Sequence, residues 1–424
     1  MEKQYPAIER MVARVRERFT GGDERIAGIF ENCIGDTLSK TINRQPDGSV
    51  YVITGDIPAM WLRDSACQLM PYVRFAREEP ETLDMLVGLC GTQAKCILID
   101  PYANAFNVPG ERSIWMSDKT AMREELWERK YEIDSLCHPV SLAWTLWKKA
   151  GTTRHFTPEW KAAAEKIIET FRREQHHEED SDYRFERENC VFTDTLSRDG
   201  RGALVKSGIG LIWSGFRPSD DACVYGYYIP GNMFAVVALS QIGEIAEAVY
   251  GDAALAQRAR AFSDEVRQAI AKYAVLPNMP SPYYAYEVDG FGQYLTMDDA
   301  NVPSLVAMPL LGWCDADDPL YRNTRAAMLS QQNPFYYEGK CLRGIGSPHT
   351  LANYVWDIGL AVQGLTADDP EEKYACIRMM VDNDAGTGMM HEGIFVDDPT
   401  VFTRPWFSWA NAMFCELVMD YCGF

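Results

Sequence analysis

Two acidic residues stand side by side in the run Phe216-Arg217-Pro218-Ser219-Asp220-Asp221-Ala222, and a solitary Glu392 sits between His391 and Gly393. A third acid-bearing run, Thr54-Gly55-Asp56-Ile57-Pro58-Ala59-Met60-Trp61-Leu62-Arg63-Asp64-Ser65, lies near the start. Carboxylates set among Trp, Tyr, Arg, Gly and Pro are unlike the acids of a solvated face. A pair of carboxyls can break a glycosidic bond, one protonating the leaving oxygen while the other activates water or attacks carbon. Aromatic faces offer a flat apolar surface to a pyranose ring. These residue types together describe a sugar-binding cleft with acid–base chemistry.

Each run also has a plainer reading. Arg63 beside Asp64 often makes an internal ion pair at a helix start; the functional alternative has both gripping sugar hydroxyls while Trp61 covers a ring face. Asp56 either takes part in that grip or caps the turn before Pro58. Ser219-Asp220-Asp221 serves equally as a helix N-cap, but Tyr225-Gly226-Tyr227-Tyr228-Ile229-Pro230-Gly231-Asn232 follows closely. Tyr and Gly together build walls that a flat ligand can approach. An apolar, Tyr-rich setting is expected to raise the pKa of one of the two adjacent aspartates, as a general acid requires. Glu392 lies in Gly386-Thr387-Gly388-Met389-Met390-His391-Glu392-Gly393-Ile394-Phe395, with no Lys or Arg for about ten residues on either side. A buried, unpaired carboxylate is costly, which favours a chemical role. His349, in Gly346-Ser347-Pro348-His349-Thr350, is expected at a helix start, where it binds a sugar hydroxyl or caps the helix. With Arg404, these give the candidate substrate-binding set: Asp56, Trp61, Arg63, Asp64, Tyr227, Asn232, His349 and Arg404.

Helices must position these residues. Ile8, Met11, Val12 and Val15 share one helical face, as do Ile26, Ile29, Phe30 and Cys33. Thr157-Pro158-Glu159 opens a helix with a capping hydroxyl, a first-turn proline and an acid at the positive end. That helix is expected to run to about Arg173, followed by an exposed acidic loop over 178–182. Further helices fit 232–250, 253–273, 302–313, 320–329, 350–365, 370–381 and 405–422. Strand signals are few: Ser49 to Ile53 could pair with Leu38 to Ile42 across Asp47-Gly48, and 339–346 reads as a short ribbon. No linker divides the chain, which is read as one catalytic domain over residues 1–424. Many helices with polar-aromatic loops between alternate ones predict an all-α toroid of helical hairpins, with 229–239 and 405–417 as inner helices.

The 424-residue chain is 47% hydrophobic and carries a net charge of −20, which disfavours nucleic acid and anionic membrane as partners. No stretch is expected to span a bilayer. Met1-Glu2-Lys3-Gln4-Tyr5-Pro6 lacks a secretory pattern. The twelve cysteines include no pair at two-residue spacing, and Cys90 and Cys96 are too far apart for a usual zinc knuckle. Buried free thiols in a reducing cytoplasm are expected. The six histidines (138, 155, 176, 177, 349 and 391) show no metal pattern, and His176 and His177 read as surface residues. No metal or cofactor is expected. A phosphate loop and a Gly-x-Ser-x-Gly elbow are both missing.

At Gly55 to Ser65, Arg217-Pro218-Ser219-Asp220-Asp221 and His391-Glu392-Gly393 the chain resembles glycoside hydrolase family 125 over nearly its full length. The resemblance implies an (α/α)6 barrel and a metal-independent, inverting exo-α-1,6-mannosidase acting on α-mannoside oligosaccharides such as N-glycan-type fragments. It also implies Asp220 as general acid, with Asp221 as the fallback, and Glu392 as general base. A sugar epimerase on the same toroid would need paired histidines across the cavity. A non-catalytic sugar-binding protein would lack the opposed carboxylates.

Overall fold

Apolar residues at helical spacing fold most of the chain into an inner and an outer ring of helices. The structure is a computed structural model that describes residues 5–277 and 279–424. The opening Met1–Gln4, read above for its lack of a secretory pattern, lies outside the described residues. The inner helices pack side by side: Leu62–Leu69 on Ile133–Ala150, that on Ile229–Ala248, and Asp357–Leu365 on Ser408–Tyr421, which returns to Leu62–Leu69. Segment 302–313 fills the remaining inner place. Tyr228 donates its hydroxyl to the Pro303 carbonyl at 2.6 Å, and Tyr321 donates to that of Val306 at 2.9 Å. The outer partners are Pro80–Ile99, Pro158–Glu174, Ala253–Tyr273, Pro319–Met328, Pro370–Asp382 and Glu24–Asp36, with Pro6–Arg18 laid over the last. This is the all-α (α/α)6 barrel.

The two rings start their helices differently. Four outer helices begin at a side-chain cap: Thr157, Asp252, Asp318 and Asp369 each accept a hydrogen bond from a backbone N–H of the first turn. The inner helices begin instead at Trp61, Glu132, Tyr228, Trp356 and Phe407, all extended and none making a side-chain cap bond. Short strands deliver several of these residues. Ala59–Trp61 pairs with Ala105–Asn107, and Tyr354–Trp356 pairs with Gly393–Phe395. Polar and aromatic side chains thus replace caps at one end of the barrel. Gly55 is needed where the first run crosses the last inner helix. Its φ is +129°, and a Cβ there would lie 2.5 Å from the Trp406 carbonyl oxygen.

Several sequence expectations change. Segment 302–313 is a chain of turns because Pro303 and Pro309 interrupt it and Asp298 draws the Leu305 and Val306 N–H groups onto its carboxylate at 2.8 and 2.9 Å. The helix expected from Thr350 begins only at Asp357, after the strand Tyr354–Trp356, and that expected from Pro405 begins at Ser408. The first hairpin pairs Ile42–Arg44 with Val50–Val52, since Thr37–Thr41 continues the preceding helix as a π turn. The ribbon near 339–346 pairs Tyr336–Glu338 with Arg343–Ile345. Residues His177–Asp180 form one helical turn, in which Glu178 binds Arg198 and Arg201. His177 is buried, bonded to Glu174 at 2.7 Å and stacked on Trp213, not a surface residue. Two helices, Pro80–Ile99 and Ile229–Ala248, are long and apolar enough to cross a membrane by length and composition, contrary to expectation. Ile229–Ala248 is apolar because it packs against neighbours on most faces.

Candidate active site

The first turns of the inner helices and the loops before them enclose a cavity of about 260 Å³. That is small for a pocket and suits a single sugar unit. By its contacts the lining divides into two walls: Trp61 and Arg63 are bonded to Asp220 on the first, and Arg404 is paired with Glu392 on the second; Pro218, Asp64, His349, Trp356 and Trp409 complete it.

On the first wall, Asp220 has φ +66°, a left-handed backbone that a non-glycine residue seldom adopts. The turn is held by the Asp220 N–H donating to the Arg217 carbonyl at 2.9 Å and by Lys130 Nζ donating to the Asp220 carbonyl at 2.8 Å. Three donors converge on Asp220 Oδ1: Trp61 Nε1 at 3.3 Å, Arg63 Nη2 at 3.2 Å and Asn104 Nδ2 at 3.2 Å. Burial pushes this carboxyl up, but Arg63, Lys130, a hydrogen bond from Glu132 and His349 outweigh it and hold it below the usual carboxylate range. The expected rise is therefore corrected. Tyr227 and Tyr228 turn away to bond the Lys206 and Pro303 carbonyls, leaving cations to set the field at Asp220. Asp221 does not line the cavity; it is buried and bonded through Oδ1 to His349 Nδ1 at 3.2 Å.

Beneath Asp220, Arg63 is a buried hub. It reaches Glu132 at 2.6 Å, Asp134 at 3.1 Å, Asp220 at 3.2 Å and Asp64 at 3.4 Å. The ion-pair reading of Arg63 thus holds, and Arg63 borders the cavity as well. Asp64 Oδ2 is buried with no hydrogen-bond partner, and burial, only partly offset by Arg63, pushes the Asp64 carboxyl up to about 6.

On the second wall, Glu392 precedes the strand Gly393–Phe395. Its cationic neighbour comes from twelve residues on: Arg404 Nη1 lies 3.8 Å from Glu392 Oε1. Arg404 is itself left-handed, at φ +48°, and packs over the Phe407 ring at 4.1 Å. Asp56 pairs with Arg404 Nε at 3.1 Å, so it orients that arginine and does not cap a turn. His349 sits in a turn, not at a helix start, beside Trp356. Burial would lower its imidazole, but Asp221 first, then Glu392 and Asp220, push it up to about 9.

Three candidates are not part of the cavity lining: Asp56, which pairs with Arg404, and two residues deeper in the fold, Tyr227 and Asn232. Tyr227 is buried and occupied by Lys206. Asn232 is buried and ties Ile212 to the helix: the Ile212 N–H donates to Asn232 Oδ1 at 2.8 Å, and Asn232 Nδ2 donates to the Ile212 and Tyr228 carbonyls at 2.9 Å. Both belong to the packing behind the site. The sequence reading missed Asn104, Glu132, Asn301, Trp356, Phe407 and Trp409. Trp356, Phe407 and Glu132 share one signal: each stands immediately before an apolar helical run with no Ser, Thr or Asn in the cap position. Among the described residues that line the cavity, His349 is the one histidine, so the paired histidines of an epimerase are not there. Among the described residues, no group of His, Cys, Asp and Glu is arranged to hold a metal ion.

Residues 23–419 match the family described as metal-independent alpha-mannosidase. The chain is 39% identical to the meiotically up-regulated gene 157 protein of Schizosaccharomyces pombe, over 98% of this chain and 85% of that protein. Among solved structures it is similar to a metal-independent α-mannosidase of Streptococcus pneumoniae in a non-productive complex with α-1,6-mannobiose: TM-score 0.97, 44% identity and full coverage of both chains. A bacterial glucoamylase bound to acarbose shares the fold at TM-score 0.60 and 12% identity, over 93% of this chain and 55% of that one. The chain belongs to glycoside hydrolase family 125, the metal-independent α-mannosidases.

Proposed function

We propose that the protein is an exo-acting α-1,6-mannosidase that works with inversion, with Asp220 as general acid and Glu392 as general base. The observation that carries this is one small cavity lined by both Asp220 and Glu392. A cavity of about 260 Å³ accommodates a terminal sugar better than the middle of a chain. The α-1,6 linkage is supported by the mannobiose bound to the similar pneumococcal enzyme. N-glycan-type fragments are the natural substrate class in this reading, and the chain acts as one catalytic unit.

The terminal mannose seats on Trp61 and Trp409, with Asp64, which lines the cavity, accepting a hydrogen bond from a sugar hydroxyl. Asp220 gives its proton to the glycosidic oxygen as the bond to the anomeric carbon lengthens. Water on the opposite ring face attacks that carbon and loses a proton to Glu392. Arg404, steered by Asp56, places a positive charge beside Glu392. His349, charged at neutral pH beside Asp221, offers a donor to the sugar.

The test is a panel of mannobioses with the products followed over time. The α-1,6 isomer should be cut and its α-1,2, α-1,3 and α-1,4 isomers far more slowly; equal rates would sink the linkage assignment. Dialysis against a chelator should leave the rate unchanged. We propose a cytoplasmic location as well, a reading supported by twelve free cysteines, seven of them buried. Tagged protein recovered from an oxidising compartment would contradict it.

A further inference from the structure

Four carboxyl groups, Asp64, Glu132, Asp134 and Asp220, surround the single guanidinium of Arg63. Three of these side chains are almost wholly buried. Arg63, with Lys130 and His349 acting on Asp220 alone, does not balance three buried carboxylates and Asp220, which favours a proton held within the cluster. Glu132 and Asp220 sit on the two ends of one guanidinium, Arg63 Nη1 at 2.6 Å from Glu132 Oε2 and Nη2 at 3.2 Å from Asp220 Oδ1, and two carboxyls so close favour sharing one proton, because an ionised carboxylate can only accept. Asn104 Nδ2 bridges the same pair, at 3.3 Å from Glu132 Oε1 and 3.2 Å from Asp220 Oδ1.

The surroundings of the two carboxyls differ. Asp220 borders the cavity and faces Arg63, Lys130 and His349, which is bonded to the adjacent Asp221. Glu132 faces Arg63 together with Asp134 and Asp220 in a fully buried site. Glu128 and Lys130, from the neighbouring strand and loop, pair with each other at 3.5 Å. Burial, only partly offset by Arg63, drives the Glu132 carboxyl well above its ordinary range.

We propose that Glu132 is a positioning residue that stores, behind the cavity, the proton that Asp220 delivers to the leaving oxygen. In the resting site Glu132 is a neutral carboxylic acid donating to the Asp220 carboxylate. When the glycosidic oxygen lies against Asp220, the proton crosses from Glu132 to Asp220 and on to that oxygen. The electron pair of the breaking carbon–oxygen bond stays with the oxygen. Glu132 is left ionised, already held by Arg63 Nη1 at 2.6 Å and Ser135 Oγ at 2.7 Å. Glu392 has meanwhile taken one proton from water, so the net charge of the site is unchanged, and the starting protonation is restored when that proton passes through solvent to the pair. This arrangement reconciles an acid whose own surroundings favour its anion with a reaction that needs its proton.

The inference rests on Asp220 being the acid, so Asp220→Asn runs beside Glu132→Gln in the same series. Glutamine keeps the shape and hydrogen bonding of Glu132 but cannot hold a transferable proton. In Glu132→Gln, kcat on α-1,6-mannobiose should fall by roughly 10- to 100-fold, with KM little changed. An activated aryl α-mannoside, which departs without protonation, should lose less than about threefold. The alkaline limb of the pH profile should move to lower pH, because Asp220 alone gives up its proton earlier. Equal loss on both substrates with an unmoved alkaline limb would reduce Glu132 to a structural part and overturn the proposal. If Asp220→Asn itself shows no leaving-group dependence, the acid assignment has failed; if it shows one and Glu132→Gln does not, only the role of Glu132 has failed. Should Glu132→Gln not fold, Glu132→Asp carries the test. It keeps an acid but withdraws it by one methylene, and its alkaline limb must still move down.

Discussion

The two walls of the cavity are built to different standards. On the Asp220 wall the carboxylate is tied into a dense network: three donors on one oxygen, a lysine on its carbonyl, and Arg63 linking four carboxyls. On the Glu392 wall a single arginine stands 3.8 Å away, beyond direct hydrogen-bond distance, and Asp56 steers it from the far side. The difference matches the two tasks. An acid must meet a fixed oxygen with a proton of controlled acidity, so its surroundings are over-determined. A base that activates water needs space in front of it, and a sparse wall leaves that space. Left-handed backbone at both Asp220 and Arg404 shows that each wall also carries local strain, held in place by these contacts.

The largest effects should come from the two carboxyls, and they should differ in kind. Asp220→Asn should slow α-1,6-mannobiose by roughly 10²- to 10⁴-fold and an activated aryl mannoside far less. Glu392→Gln should slow both by similar factors, since both need the water activated. Steady-state kinetics on the two substrates reads the contrast; identical patterns would erase the distinction between the walls.

Next is Arg63→Met, which leaves four buried carboxyls without their cation. It should destabilise the fold by about 3–5 kcal/mol, measured by urea unfolding, whereas Arg404→Met on the open wall should cost less than about 1 kcal/mol. Similar losses would mean that the walls are equally braced.

A pH effect of intermediate size tests the bond between the walls. The His349 imidazole is pushed up to about 9 in the fold, above its unfolded value near 6.5. Its contribution to stability is therefore fully present below about pH 6.5 and is lost as pH rises through about 9. Asp64, raised to about 6 by burial despite Arg63, works in the other sense: the native state binds more protons, so stability falls as pH climbs from its unfolded value near 3.9 to about 6 and is flat above. Melting curves of His349→Gln against the unsubstituted protein should converge above about pH 9 and separate below about pH 7. A constant gap across that range would contradict the pairing with Asp221.

The smallest effect is expected behind the site. Tyr227→Phe removes one hydrogen bond to the Lys206 carbonyl, worth about 1 kcal/mol, and should leave kcat/KM within about twofold on both substrates. A tenfold loss of activity would restore Tyr227 to the substrate-binding set.

The parts of the site legible in the sequence were those whose own neighbours betray them. Asp220, Glu392 and Trp61 sit in short runs where acids and aromatics are crowded together. The ring was legible because apolar spacing repeats through alternate helices. What remained hidden depends on residues far apart in sequence. Nothing near Glu132 announces that Arg63 and Asp220, 69 and 88 positions away, will meet it. The Tyr cluster at 225–228 misled because adjacency was taken for contact: two of these hydroxyls point to carbonyls behind the site. The apolar content of 302–313 likewise suggested a helix, but Pro303, Pro309 and the carboxylate of Asp298, which takes two of its N–H groups, outweighed that content.

One measurement bears most directly on the division of labour between the two walls. Proton NMR of the mannose first released from the methyl glycoside of α-1,6-mannobiose, whose other product stays a methyl mannoside, recorded before mutarotation, reports its anomeric form. An acid on one wall and a water-activating base on the other predict β-mannose as the initial product, relaxing later to the equilibrium mixture. Initial α-mannose would contradict the account, because Glu392 would then have to attack the anomeric carbon itself and the open wall would be serving a nucleophile and not a water.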